Sequence, residues 1–180
     1  SFNPAATWSR RETETRNLFA KLEHQLAGDW RLKLSVNRQD SQHRSLLGSA
    51  SGGNPDPVTG EGMYLFSGDF RGDRTQDTAN ASLDGSYTLF GRKHQAMLGA
   101  MWSDTQTEGP WSESLYPSLP GSIFQWTGSF PQPAYPPIAA YNDRRRQSGL
   151  YGATRLRPTD ALSVILGARI SRVVGRDERV

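Results

Sequence analysis

The sequence predicts an all-β fold, a series of antiparallel strands from a transmembrane β-barrel. Three observations carry that expectation. Apolar and polar residues alternate with a period of two through most of the chain. Tight connections between the alternating runs take turns with very long ones. The apolar parity is almost free of charge, whereas the opposite parity is not.

The first run, Arg16–Leu26, carries Leu18, Ala20, Leu22, His24 and Leu26 on one parity and Asn17, Phe19, Lys21, Glu23 and Gln25 on the other. After a turn at Ala27-Gly28-Asp29, Trp30, Leu32, Leu34 and Val36 alternate with Arg31, Lys33, Ser35 and Asn37. A third run extends from about Gly62 to Phe90 without proline. Its last third sets Ala79, Ala81, Leu83, Gly85, Tyr87 and Leu89 against Asn80, Ser82, Asp84, Ser86, Thr88 and Phe90. Gly68 and Gly72 are expected to mark bulges or bends within it. The turn Gly91-Arg92-Lys93 leads into His94, Ala96, Leu98, Ala100 and Trp102. A last pair, Ser148–Leu156 and Asp160–Val174, is hinged at Arg157-Pro158-Thr159. Six strands result, antiparallel by connectivity.

The two remaining connections, Gln39–Glu61 and about Ser103–Asp143, are expected to be long loops. Such lengths are rare in compact soluble domains unless they carry function. Short turns at one end and long loops at the other are the habit of outer-membrane barrels, with the turns periplasmic and the loops extracellular. Alternation alone would equally suit half-buried strands of a soluble sheet. The charge pattern tips the balance, because Lys or Arg at the bilayer midplane of a barrel costs roughly 2–4 kcal/mol. In five of the six strands the apolar parity lacks Lys, Arg, Asp and Glu over its central span, while Arg31, Lys33, Asp84 and Arg169 lie on the other parity, suited to a wet lumen. Trp30 and Tyr87 beside short turns, and Trp102 at the far end of its strand, stand where a membrane girdle of aromatics belongs.

Composition excludes other classes. Only 35% of the 180 residues are hydrophobic, with 18 Gly and 11 Pro, too few apolar residues for a densely packed α/β enzyme. The absence of Cys removes disulfides, thiolate catalysis and Cys-ligated metals. A net charge of +3 is no footprint for nucleic acid. No apolar stretch is long enough for a transmembrane helix. The longest uncharged run, Ser114–Asn142, holds six prolines, Pro117, Pro120, Pro131, Pro133, Pro136 and Pro137, which forbid a helix there. Catalytic and metal-ligating constellations are not found: His24, His43 and His94 lie far apart, Gly48–Gly52 has Ala where a nucleophile elbow needs Ser, and Gly60-Glu61-Gly62 is no dinucleotide fingerprint.

The run from Asn17 to Leu26 followed by Asp29-Trp30 resembles a barrel hairpin of TonB-dependent ferric-siderophore receptors, especially those for pyoverdine and hydroxamate-type siderophores. Leu89-Phe90-Gly91-Arg92-Lys93-His94 followed by Met97-Leu98-Gly99-Ala100 is similar to a second periplasmic hairpin of that family. Ser148-Gly149-Leu150-Tyr151 through Thr159-Asp160 and Ile165-Leu166-Gly167-Ala168-Arg169 resembles a third. The resemblance implies that residues 1–180 are part of a 22-stranded barrel in the Gram-negative outer membrane, about six strands of it. It further implies that the plug domain, the TonB box and the terminal strand ending in an aromatic lie elsewhere, since Val180 is not that aromatic. The implied activity is transport without catalysis or cofactor, iron entering only as a ferric siderophore and TonB acting through the absent N-terminal region. Outer-membrane lipid and lipopolysaccharide are the remaining partners.

Within that frame the stretch Ser103–Asp143 is the candidate binding region. It gathers seven of the 11 prolines and the aromatics Trp111, Tyr116, Phe124, Trp126, Phe130, Tyr135 and Tyr141. Proline restrains such a loop and aromatics give it rigid amphipathic surface. Trp111, Tyr116, Trp126, Tyr135 and Tyr141 are the expected ligand contacts of an extracellular vestibule. Arg144 and Arg146 are expected to face the lumen and attract an anionic chelate. Two alternatives stay open at this point: another outer-membrane barrel such as a porin, and a soluble β-sandwich module with a sugar-stacking aromatic loop. A barrel segment with open edges is not expected to fold alone in water.

Overall fold

The computed structural model of the chain describes residues 3–179; Val180 lies outside them. Six strands, β1 (Arg10–Gln25), β2 (Arg31–Gly53), β3 (Met63–Leu89), β4 (Arg92–Ser112), β5 (Pro137–Leu156) and β6 (Val164–Arg179), form one sheet in chain order. Every neighbouring pair is antiparallel.

The register lines the apolar residues into continuous rows. His24, Leu32, Leu83, Leu98, Gly152 and Ala168 are paired across all six strands. The next row is Leu22, Leu34, Ala81, Ala100, Leu150 and Ile170. Above it come Ala20, Val36, Ala79, Trp102, Ser148 and Arg172. Below, Gly85, Ala96, Thr154 and Leu166 share a row, and the pairs Tyr87 with His94 and Leu156 with Val164 mark its lower margin. From the Tyr87 row to the Trp102 row is roughly 27 Å of strand at 3.4 Å per residue. Tilted as barrel strands are, that length rises about 20 Å, most of the roughly 25 Å apolar band of such barrels.

The belt is bare. Leu22 is 57% exposed, Leu98 59%, Leu150 61% and Ile170 72%, so no second layer covers this face. Among the described residues the buried apolar side chains are Ala6, Leu46, Ala50, Leu65 and Leu119, all away from the belt. A sandwich would bury one face of the sheet against another sheet; here hydrocarbon is the solvent that suits the exposed face.

Two of the short connections are tight for identifiable reasons. Phe90 and Gly91 both adopt positive φ, 52° and 74°, the requirement of a two-residue hairpin turn matched to strand twist. Gly28, φ 69°, serves the β1–β2 turn, which closes through Leu26 N–H to Trp30 O at 2.8 Å.

The long connections are much shorter than expected. Pairing continues through Gly53 and from Met63 onward, leaving only residues 54–62 between β2 and β3. Likewise β4 and β5 stay paired to Ser112 and Pro137, so the second connection is 113–136. Above the belt both parities become polar, so hydrophobic alternation disappears while backbone pairing does not. Gly68 and Gly72 make no bulge; the register breaks lie instead between Ala50 and Gly53 and between Trp111 and Ser112. Their missing Cβ atoms make room for the Phe70 ring and the Tyr141 hydroxyl.

The 113–136 segment folds down onto β3. Leu65 N–H donates to Pro117 O at 2.7 Å, and Ser67 and Leu115 exchange backbone hydrogen bonds of 3.0 and 2.8 Å. The N-terminal segment joins it through Thr7 N–H to Gly128 O, 2.9 Å, and Trp8 Nε1–H to Phe130 O, 2.9 Å. Leu119, Ala50 and Leu65 form a small core with Met63, Ile123, Trp126 and Phe130 packed on it. The result is a cap with its own interior at the end of the sheet opposite the tight turns.

The face assignment predicts an asymmetry between neighbours on β3. Ala81→Arg, in the middle of the belt, is expected to destabilise the membrane-inserted protein by roughly 2–4 kcal/mol. Thr78→Arg, on the other parity, is expected to cost less than about 1 kcal/mol. Denaturant unfolding in lipid vesicles measures both, and equal losses would contradict the assignment.

Candidate functional site

On the face opposite the belt, above the level of Trp102, lies a cavity of about 670 Å³. That volume suits a small organic ligand. His43 of β2, Phe70 and Arg74 of β3, Thr107 and Trp111 of β4 and Tyr141 of β5 all contribute to its wall, and Tyr116 closes it from the 113–136 segment.

Small residues make the space. Tyr141 is paired with Gly109, and its hydroxyl donates to Arg71 O at 3.0 Å across Gly72. A Cβ at either glycine would collide with that hydroxyl or the backbone beneath it. Burial raises the Tyr141 phenol above its ordinary pKa, keeping it a neutral donor. The register break after Trp111 releases β4 into the loop, and the Arg179 guanidinium stands over the Trp111 ring at 5.0 Å. Phe66 continues the aromatic surface, 6.3 Å from Phe70 and 5.5 Å from Tyr116 between ring centroids.

His43 lies between two hydroxyls. Its Nε2 is 2.8 Å from Ser45 Oγ, which also accepts from Arg11 Nε–H at 3.1 Å, and its Nδ1 is 3.3 Å from Thr13 Oγ1. The cavity thus offers aromatic faces, an imidazole, hydroxyls, the cations Arg71 and Arg74 and the carboxylates Asp69 and Glu113, with Arg71 paired to Asp69, an arrangement able to hold a molecule with aromatic and polar parts. No group of three or more metal-ligating side chains occurs among the described residues.

The expected ligand contacts divide. Trp111, Tyr116 and Tyr141 meet in the cavity. Trp126 does not; its ring packs 5.9 Å from Phe130 within the cap. Tyr135 also stands apart, its hydroxyl buried near Ser67, and burial raises its pKa.

Arg144 and Arg146 require a correction. Both share the parity of Leu150 and Ser148, the belt parity, and both bind Asp104 of β4. Arg145 takes the opposite face. Expected to line the lumen, the pair instead lies outside it, because strand parity turns every second side chain the same way. His43, Phe70 and Arg74 were not anticipated.

Trp30 lies on the belt face over Gly85 near the β1–β2 turn. Tyr87 lies at the same end, 5.3 Å from the His94 ring and 2.9 Å from Thr154 Oγ1. Trp102 lies on the belt's opposite margin. His94 is structural: its Nδ1 accepts from Arg157 N–H at 3.0 Å and its Nε2 meets Leu89 O at 3.1 Å.

Comparison with known proteins places these features in a context. The family model described as TonB dependent receptor-like, beta-barrel, matches residues 1–177. The chain is 29% identical over 173 residues to the ferripyoverdine receptor of Pseudomonas aeruginosa, covering 94% of this chain and 21% of that protein. It is 30% identical over 178 residues to the ferric-pyoverdine BN7/BN8 receptor of Pseudomonas putida, covering 94% and 22%. The chain therefore spans about a fifth of the length of these curated relatives. A crystal structure of the Pseudomonas aeruginosa outer-membrane ferripyoverdine receptor bound to ferripyoverdine superposes over 100% of this chain and 25% of that one, with a TM-score of 0.81 at 28% identity. The ferric-catecholate import receptor of E. coli K12 shares the fold, with a TM-score of 0.82 at 12% identity over 96% of this chain and 27% of that one.

Two expectations follow from the division between cap and cavity. Trp126→Ala is expected to cost the cap about 3 kcal/mol and to expose 113–136 to proteolysis on intact cells, whereas Trp111→Ala leaves its protease resistance unchanged. Similar cleavage in both would show that the two are not separate. The second concerns the Asp104 carboxylate, which accepts from Arg144 and Arg146. Asp104→Asn is expected to cost less than about 1 kcal/mol in denaturant unfolding in lipid vesicles, and a larger loss would contradict that.

Proposed function

Because the chain belongs to the TonB-dependent receptor β-barrel family, we propose that it forms part of the wall and extracellular vestibule of an outer-membrane receptor that takes up a ferric siderophore of pyoverdine type. The single observation that carries this reading is the cavity on the polar face, bounded by Trp111, Tyr116, Phe70, Tyr141 and Arg74. The names of the relatives supply the substrate class; the lining supplies a chemistry compatible with it. A planar aromatic part of the chelate stacks on Trp111 or Tyr116. Arg74 attracts its acidic groups and raises the encounter rate. Belt and girdle hold the segment at one depth in the membrane, so the vestibule opens outward. Energy from TonB enters through parts of the receptor beyond this fifth of its length, and the iron is cargo within the chelate.

Binding of a ferric pyoverdine to the intact receptor, followed by tryptophan fluorescence or calorimetry, tests the reading. Trp111→Ala is expected to weaken binding about tenfold, equivalent to ~1.4 kcal/mol. Arg74→Gln is expected to slow association chiefly at low ionic strength. Unchanged binding in the Trp111→Ala, Tyr116→Ala double variant would refute the assignment of this cavity.

A further inference from the structure

Below the cavity, the inner face of the sheet distributes its charges unevenly. On β2 the cations are paired, Lys33 with Asp84 at 2.7 Å and Arg31 with Glu23 at 3.9 Å. Lys93, at the foot of β4, is paired with Asp29, and Lys21 of β1 lies against the Phe19 ring. Strands β5 and β6 differ. Descending from the cavity they present Arg145, then Arg169, then Arg155 to this face. Among the described residues none of these three is ion-paired. From the Arg145 row to the Arg155 row no inward position of β4, β5 or β6 is Asp or Glu. The carboxylates around the stretch are Asp143 and Asp177, opposite each other one row above Arg145, and at its foot Asp84, Asp29 and Asp160, paired with Lys33, Lys93 and Arg92. Arg169 is fastened without being neutralised: its Nε–H donates to Ser171 Oγ at 2.8 Å and its Nη2–H to Met101 Sδ at 2.9 Å. Cations left over on one wall attract anions to it.

Between the arginines the wall is low. Gly149 is paired with Ser171 and Ala153 with Gly167. Tyr151, the aromatic of this stretch, is laid sideways: its ring covers Gly99 of β4, where a Cβ would collide with it, and its hydroxyl donates to Asn80 Oδ1 of β3 at 3.0 Å. A shallow furrow is left along β5 and β6. It starts directly under the cavity, since Arg145 pairs with Thr105, one row beneath the cavity's Thr107. It ends toward the tight turns in a hollow of about 450 Å³ where Arg155 stands with Met97, Ala153 and Ile165. Along β5 the step from Arg145 to the Arg169 level at Tyr151 is roughly 20 Å, and from there to Arg155 roughly 14 Å.

We propose that Arg145, Arg169 and Arg155 are successive holding points for the anionic chelate as it descends, so that β5 and β6 are the passage side of this wall. This rests on the transport reading above and adds to it the residues used after binding. Continuity with the cavity and the spacing of the cations select a moving anion as the occupant. Passage needs sites attractive enough to enter and weak enough to leave; single guanidiniums set well apart supply that, whereas a permanently docked acidic surface would need no clearance between them.

The test uses the intact receptor in cells and ferric pyoverdine carrying radioactive iron. Binding is measured at equilibrium in de-energised cells, uptake as the initial rate in energised ones. In the Arg155→Gln, Arg169→Gln variant the uptake rate is expected to fall about fivefold while the Kd stays unchanged, the pattern of residues used after binding. Arg155→Lys with Arg169→Lys, which keeps both charges, is expected to recover roughly half of the lost rate, and Arg172→Gln, on the outer face, to change neither quantity. Heat-modifiable migration in gels confirms that each variant is folded; should the glutamine pair not fold, Arg155→Gln alone carries the same expectation. An unchanged uptake rate overturns the proposal, as does a lysine variant no faster than the glutamine one. Binding weakened in step with uptake overturns it too, since the arginines would then belong to the binding site. So does entry of a large hydrophilic antibiotic into de-energised cells of the glutamine variant, which would make them anchors for a domain seated inside the barrel. A wild type that neither binds nor takes up ferric pyoverdine refutes the transport reading itself, before any variant is compared.

Discussion

The backbone pairing register between neighbouring strands is the constraint on which everything else in this chain depends. Because side chains alternate with a period of two, a slip of one residue between any two strands would exchange their faces. Leu34, Ala81, Ala100, Leu150 and Ile170 would then no longer share a row. The same register that gathers them also brings His43 opposite Gly72 and Tyr141 opposite Gly109. Belt and cavity are two faces of one set of hydrogen bonds.

The register extends well past the belt, and there its chemistry changes. Below the Trp102 row apolar side chains satisfy the lipid and the polar ones face away. Above it, cross-strand pairs such as Arg38 with Asp77 and Asp104 with Arg146 occupy the outer parity. Exposed pairs like these contribute little stability individually. The upper sheet is instead secured by its backbone ladder and by the cap, whose core of Ala50, Leu65 and Leu119 is independent of the membrane.

The limits of what the sequence reveals follow from the same transition. Leu32, Leu34 and Val36 announce their strand because hydrocarbon demands apolar residues at every second position. At Arg38 and Asp40 that demand ends, so β2 continues to Gly53 without a hydrophobic signature and reads as loop. The outward turn of Arg144 and Arg146 was available from counting back through Ser148 and Leu150; the attraction of a basic triplet beside an aromatic loop obscured it. Composition likewise drew Trp126 into the binding set, although a ring beside Phe130 is what a small loop core requires. Phe70, Arg74 and His43 carried no local signal, since their neighbourhood exists only when three strands distant in sequence are paired and two glycines open the space between them.

The upward run of β2 and β3 has a consequence for how the cell surface is encountered. From the Trp102 row to the tip of the hairpin is roughly 58 Å of paired strand, a stiff mast crowned by the 54–62 connection, where Val58 is 86% exposed, and by the neighbouring Phe124, 68% exposed. A large particle diffusing toward the bacterium would collide with this crown well before it could reach the aromatic recess below. Residues at the crown answer to the stability of the cap and to collisions from outside, those in the recess to the close packing of Tyr141 on Gly72 and Gly109. Selection exerted by macromolecules at the surface can therefore reshape the crown without disturbing the recess.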